Sequence, residues 1–168
     1  MINEKRLENL IFTIPKKGRS IDSVTKLLKE HPEIQFVSYV GIDFGGNGTD
    51  ERIPVELFLD DMEEQLHLGV QTDGSSVTLP RIATLDNAKV IILPDRDVDW
   101  YIDYNYNSID CNDNYVGTLI IPSFLIHANK KVCSRSILKR AMKRIEQVSI
   151  DYIDNKPTFR NEIGINES

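Results

Sequence analysis

The chain has 168 residues, 40% of them hydrophobic, enough for one core of ordinary size, so one domain with tails is the default organisation. Its net charge of -6 and pI near 5.1 argue against a general nucleic-acid binder, because phosphate backbones repel acidic surfaces. Only Cys111 and Cys133 occur, outside any Cys-x-x-Cys or Cys/His cluster, and no apolar run approaches the roughly 20 residues of a membrane span or a signal-peptide core. A reduced, cytoplasmic protein without a disulfide framework, structural zinc site or membrane partner is expected.

Residues 1–18 are read as an N-terminal extension. Residues 20–31 predict a helix: Ser20 can cap it, Asp22 suits its first turn, and Ile21, Val24, Leu27 and Leu28 recur at helical spacing until His31-Pro32. Residues 34–44, rich in branched and aromatic side chains, predict a strand. Ile34, Phe36, Ser38, Val40 and Ile42 are expected towards the core, with Val37, Tyr39, Gly41 and Asp43 on the other face. Gly45-Gly46-Asn47-Gly48 can take positive φ, so residues 51–56 return as the second strand of a hairpin, and Pro54 makes that strand short or places it at an edge. A phosphate-holding role for these glycines is the lesser reading, since no Lys-Ser/Thr follows.

Residues 58–68 read as a short helix with Phe58, Leu59, Met62 and Leu66 inward and Gly69 as its stop. Asp73-Gly74-Ser75-Ser76 then forms a hydroxyl-rich turn. Residues 89–93 are a short buried strand, 100–104 a further candidate strand, and the Asn/Asp-rich 105–114 a surface loop. Residues 117–126 predict a strand with an apolar centre. Ser134 or Ser136 can cap a last helix whose Ile137, Leu138, Ala141, Met142, Ile145 and Val148 form one stripe. Residues 149–168 lose this periodicity and are expected to form a frayed tail or a linker. Hairpin, helix, strands and helix in this order give an α+β domain over residues 19–148, not a regular parallel βαβ array.

Several side chains admit two readings. Asp95, Asp97 and Asp99 alternate like metal ligands, but without the glycine and terminal glutamate of a calcium loop they are expected as a solvated turn. His31, His67 and His127 lack ligand spacing and are expected at the surface or at helix ends. Cys133 precedes a helix start but has no paired histidine, so a structural role is expected. Arg135, Lys139, Arg140, Lys143 and Arg144 make a basic helical face, read as solvated or as an intersubunit contact, with a local anion site as the lesser reading. Trp100, Tyr101, Tyr104 and Tyr106 are expected in core packing and strand-edge cover rather than as a stacking platform.

The succession Ile34-Gln35-Phe36-Val37, Asp43-Phe44-Gly45-Gly46, Arg52-Ile53-Pro54, the apolar-acidic helix closed by Gly69, Asp73-Gly74-Ser75-Ser76, Leu93-Pro94-Asp95 and residues 134–141 resembles the amino-terminal domain of glutamine synthetase. The resemblance runs over about residues 34–145. It implies a β-grasp-like mixed sheet with helices packed on it, in an ATP-dependent ligase that joins glutamate and ammonia through a phosphorylated γ-carboxylate. It also implies a homo-oligomeric ring in which this domain packs on the neighbouring subunit's catalytic domain and completes its active site. Asp73 matches the aspartate that helps form the family's ammonium site, where a fixed carboxylate attracts the cation and can accept a proton as the amine nucleophile is generated. Gly74 would let the turn approach its partner, and Ser75 and Ser76 would fix it through backbone hydrogen bonds.

Departures accompany the match. The loop after Ser76 is longer, and Asp86-Asn87-Ala88-Lys89 replaces an acidic run, with Lys89 reversing the usual charge. Residues 1–18 and 102–116 have no clear counterpart. ATP and Mg or Mn are implied only for the full-length enzyme, whose larger domain supplies the phosphate- and metal-binding side chains. No cofactor or metal ligand is assigned to this chain, which is expected to be an amino-terminal piece, inactive alone. A stand-alone non-catalytic β-grasp interaction module, or part of a related γ-glutamylamide ligase, are the alternative readings.

Overall fold

One long strand organises the sheet. The computed structural model describes residues 10–73, 77, 89–109 and 115–154, with the backbone alone at 105–109 and 154. In it β7 (Tyr115–His127) is flanked along its first part by β6 (Trp100–Ile109), antiparallel, and by β2 (Ile34–Ile42), parallel. Along its last part its neighbours are β5 (Lys89–Pro94) and β8 (Lys130–Lys131), both antiparallel. The remaining strands extend these pairs: β1 (Thr13–Ile14) on β6, β3 (Gly48–Pro54) on β2, and β4 (Val70–Asp73) on β5. With helices α1 (Ile21–Glu30), α2 (Val55–Leu68) and α3 (Ser134–Asp154) the described residues form an α+β fold on an eight-stranded mixed sheet. None of these helices is long and apolar enough to cross a membrane.

Local chemistry explains where the elements begin and end. Ser20 and Ser23 cap α1 reciprocally, each backbone N–H donating to the other's hydroxyl at 2.8 and 3.1 Å. Pro54 closes the edge strand β3 and stands at the N-cap of α2, which therefore starts at Val55 rather than at Phe58. Along α2, Val55, Phe58, Met62 and Leu66 are spaced to bury one face. In the β2–β3 hairpin Gly46 takes φ +83°, and the buried Asp43 carboxylate accepts the backbone N–H of Asn47 at 2.9 Å. That glycine cluster is turn chemistry.

Ile34 and Ser38 of β2 are buried as expected, but after Ile34 the apolar core face is the reverse of the expected one. Val37 and Tyr39 are fully buried and Gly41 is buried with them, whereas Phe36 and Val40 are half-buried and Ile42 exposed. The cause lies in the register with β7: Ile34 pairs with Gly117 but Phe36 pairs with Thr118, so Gln35 is an extra residue in β2. A one-residue bulge exchanges the faces of everything after it. Tyr39 then points its ring at Phe58 and donates its hydroxyl to Gln65 Oε1 on α2 at 2.8 Å. Burial raises its pKa far above the ordinary tyrosine value, so the phenol stays a donor. Tyr39→Phe should cost about 1 kcal/mol in urea unfolding; no change would mean that water replaces the Gln65 contact fully.

Other boundaries also shift. Residues 105–109 continue β6 instead of looping, because Asn105 pairs with Val116 and Ile109 with Tyr115 across an irregular register. Residues 110–114 of that expected loop lie outside the described residues. Thr13 and Ile14, within the segment read as an extension, pair with Tyr101 and Trp100, and Ile14 is buried. Helix α3 runs past Ser149 to Asp154, and the rest of the expected tail lies outside the described residues.

Candidate functional site

The strand pair β4–β5 is the stem of the candidate site. Gly69 ends α2, accepting a sharp reversal at φ +79° while its N–H donates to Gln65 O at 2.9 Å. The chain then alternates, with Thr72 buried and Gln71 and Asp73 exposed. Asp73 is thus the last residue of a strand, directly opposite Lys89 in the register. The ends of the intervening stretch are held side by side, and Val77 within it is buried in the core. Behind the stem, the backbone O of Lys89 lies 3.2 Å from Nδ1 of His127, which makes a hydrogen bond when that nitrogen carries the proton. His127 is therefore a buried strand residue and not a surface one. Gly74, Ser75 and Ser76, the expected supports of Asp73, lie outside the described residues.

Sequence reasoning missed a second cluster. Asp95 was expected in a solvated turn, yet its side chain is 1% exposed and its Oδ2 receives Arg135 and Lys139 at 2.9 Å each. Asp97 N–H donates to its other oxygen at 3.2 Å. Burial pushes the Asp95 carboxyl up, but the hydrogen bonds from Lys139 and Arg135, then that from Asp97 and the Lys139 charge, outweigh it and hold its pKa below the ordinary carboxylate value. The signal was present: an acid directly after an apolar strand needs a cation, and Arg135 and Lys139 stand four apart on one helix face. From the other side Arg19 stacks on Trp100 at 3.7 Å and donates to the carbonyls of Arg96 and Val98, and Asp99 accepts the N–H of Lys16. Asp95 and Asp99 thus tie this turn to α3 and to Lys16; among the described residues no three His, Cys, Asp or Glu groups converge as ligands.

Cys133 is buried and free, in the structural position expected of it. Trp100 and Tyr104 are core residues, Tyr101 is exposed, and the Tyr106 side chain lies outside the described set. Ser134 and Ser136 do not cap α3 as acceptors in the bonds seen: their hydroxyls donate to Ile42 O and Cys133 O. Beyond its first turn α3 exposes its apolar stripe, with Leu138, Met142 and Ile145 each at least 60% accessible.

The described residues thus place an exposed strand-end carboxylate on a mixed sheet, with an outgoing helix whose apolar side is uncovered. The fold is shared with Plasmodium falciparum glutamine synthetase, solved by cryo-electron microscopy, at a TM-score of 0.55 and 16% identity over 77% of this chain and 23% of that one. It is shared also with the GmaS/ADP complex, at a TM-score of 0.51 and 14% identity over 73% of this chain and 25% of that one. This chain therefore spans about a quarter of the length of either structure, and the likeness is one of fold. Neither a protein-family model nor a curated protein sequence matches it.

Proposed function

We propose that the chain is the amino-terminal domain of a glutamine synthetase, an ATP-dependent glutamate–ammonia ligase, and that Asp73 serves an active site shared with a neighbouring subunit's catalytic domain. The observation that carries this reading is the stem register, which sets an exposed carboxylate at the mouth of the stretch between β4 and β5. The fold likeness supplies the context. An exposed, stem-anchored carboxylate attracts an ammonium ion and accepts a proton when the neutral amine is needed as nucleophile. Gly74, Ser75 and Ser76 complete the proposal as supports of that carboxylate. The uncovered apolar side of α3 agrees with a domain that works against a larger body.

The described residues do not offer a set of metal ligands, and Asp95 is already occupied by two cations, so no step through ATP or a divalent ion is assigned to them. In the complete ligase, Asp73→Ala and Asp73→Asn should each lower ammonium-dependent turnover about 100-fold at limiting ammonium. Folding should be unchanged, because Asp73 is exposed. Unaltered turnover in both variants would remove Asp73 from the site, and glutamine formation by the 168-residue chain alone would overturn the shared-site reading.

A further inference from the structure

The basic start of α3 does not fit a purely structural role. A cavity of about 480 Å³ lies between it and the β7–β8 hairpin, lined by Lys130, Lys131, Lys139 and Arg140 with Phe124 and Asp97 among its walls. The cations come from two separate elements and converge. A two-residue turn, Ala128 at φ +46° and Asn129 at φ +62°, brings Lys130 and Lys131 back beside the helix. Lys131 Nζ stands 3.8 Å from the Phe124 ring centroid, Lys139 Nζ 5.1 Å and the Arg135 guanidinium 5.7 Å. Asp95 binds Arg135 and Lys139 through one oxygen, and Lys130, Lys131 and Arg140 are in no ion pair seen among the described residues.

Cations outnumber acids around this cavity. Four cations, Lys130, Lys131, Lys139 and Arg140, line it with one carboxylate, Asp97, while Asp95 beside it takes Lys139 together with Arg135. Of the α3 cations only Arg135 stands in the first turn, where the helix dipole favours acids. Helices α1 and α2 carry Asp22 and Glu56 in their first turns, whereas the first turn of α3 has no acid. Asp95 accounts for Arg135 and Lys139, which leaves Lys130, Lys131 and Arg140 in no ion pair seen among the described residues, and an excess of cations around one cavity is where an anionic ligand would supply the missing charge.

We propose that this cavity binds a small oxyanion carrying two or more negative charges, of the phosphate-ester or pyrophosphate class. Lysine ammonium groups act as point charges for such oxygens, and Arg140 can hold two of them at once. The volume is that of a small-molecule site. A nucleic-acid strand would need a longer basic track, which the acidic balance of the chain opposes. Phe124 is 4% exposed and already covered by Lys131, so the ring serves as a floor for the cations and offers no stacking face. The site is separate from Asp73 and does not depend on the ligase reading.

Pyrophosphate titrated into the 168-residue chain at low ionic strength, followed calorimetrically and by amide chemical shifts, tests it. Saturable binding with shifts centred on residues 130–140 is expected, weakening as salt is raised. Lys130→Ala and Arg140→Ala, both exposed and so without consequence for folding, should each weaken binding about fivefold or more. Lys143→Ala, a cation of α3 outside the cavity lining, should stay within about twofold. No saturation by about 10 mM pyrophosphate, an equal loss in Lys143→Ala, or no loss in the two cavity variants would each overturn the proposal.

Discussion

Replacing Asp95 by asparagine is expected to destabilise the domain by about 2 kcal/mol at pH 7. The asparagine keeps the shape but leaves the Arg135 and Lys139 side chains facing a neutral amide. Charge-assisted hydrogen bonds are worth more than this when fully buried. The figure is reduced because Arg135 and Lys139 are 29% and 45% exposed and can turn to water. For a domain of this size the loss should lower Tm by about 4–8 °C. The pH dependence separates the charge from the shape. Since the folded pKa of Asp95 lies below its ordinary value, the ionised form stabilises the fold above the unfolded carboxylate pKa. That contribution is lost as pH falls through the folded pKa. Urea titrations should therefore show a full difference between wild type and Asp95→Asn near neutrality, shrinking towards nothing in strong acid. A difference that persisted unchanged in acid would mean that the asparagine acts by packing alone. Helix α3 should be the element that loosens, seen as faster amide exchange in its first turns.

Gly69→Ala should cost more, about 3 kcal/mol or above. With φ +79° and ψ -178°, Gly69 sits where essentially only glycine is found. A Cβ there would also lie 2.6 Å from the carbonyl oxygen of Ile92 and 2.7 Å from Ile91 Cγ2. The first of these is backbone of the neighbouring strand and cannot swing aside. Relief would require β4 to move away from β5, which would weaken the stem that carries Asp73. A loss of this size is a large share of the 5–15 kcal/mol typical of a whole domain. Denaturant unfolding of the variant gives the figure directly; a loss under about 1 kcal/mol would show that α2 can end in another conformation. On the proposed function, the same variant in the complete enzyme should also weaken ammonium use, since it disturbs the strand leading to Asp73.

Local signals were legible where one residue controls one event. Ser20, His31-Pro32, the glycines after Asp43, Pro54 and Gly69 each mark a cap, a stop, a turn or an edge at or near its actual place. What escaped reading depends on partners distant in sequence. The bulge at Gln35 is visible only against β7, and it reversed an otherwise regular alternation over half a strand. The Asn-rich run after Tyr104 has loop composition, but pairing with β7 draws residues 105–109 into β6. Asp95 looked solvated because its neighbours Arg96 and Asp97 are polar, while the cations that bury it lie some forty positions away. At the candidate site β5 was readable, whereas β4 was not: the sequence places Asp73 in a turn, and it is the last residue of that strand. That Lys89 stands directly across from Asp73 required the register.

The central place of β7 also constrains how the molecule is made. Strands β2, β5 and β6 share no partner until residues 115–127 have been synthesised. Before then the emerging chain can close only the pairs that lack β7, the β2–β3 hairpin, β4–β5 and the long-range β1–β6, together with α1 and α2. The parallel contact between β2 and β7 joins residues about eighty positions apart, so its closure carries a large entropic cost and makes assembly slow. During that interval Val37, Tyr39 and Val90, all fully buried at the end, have no sheet to lie against. A ribosome-bound chain at this stage exposes apolar strand edges, the form of nascent protein that chaperones hold.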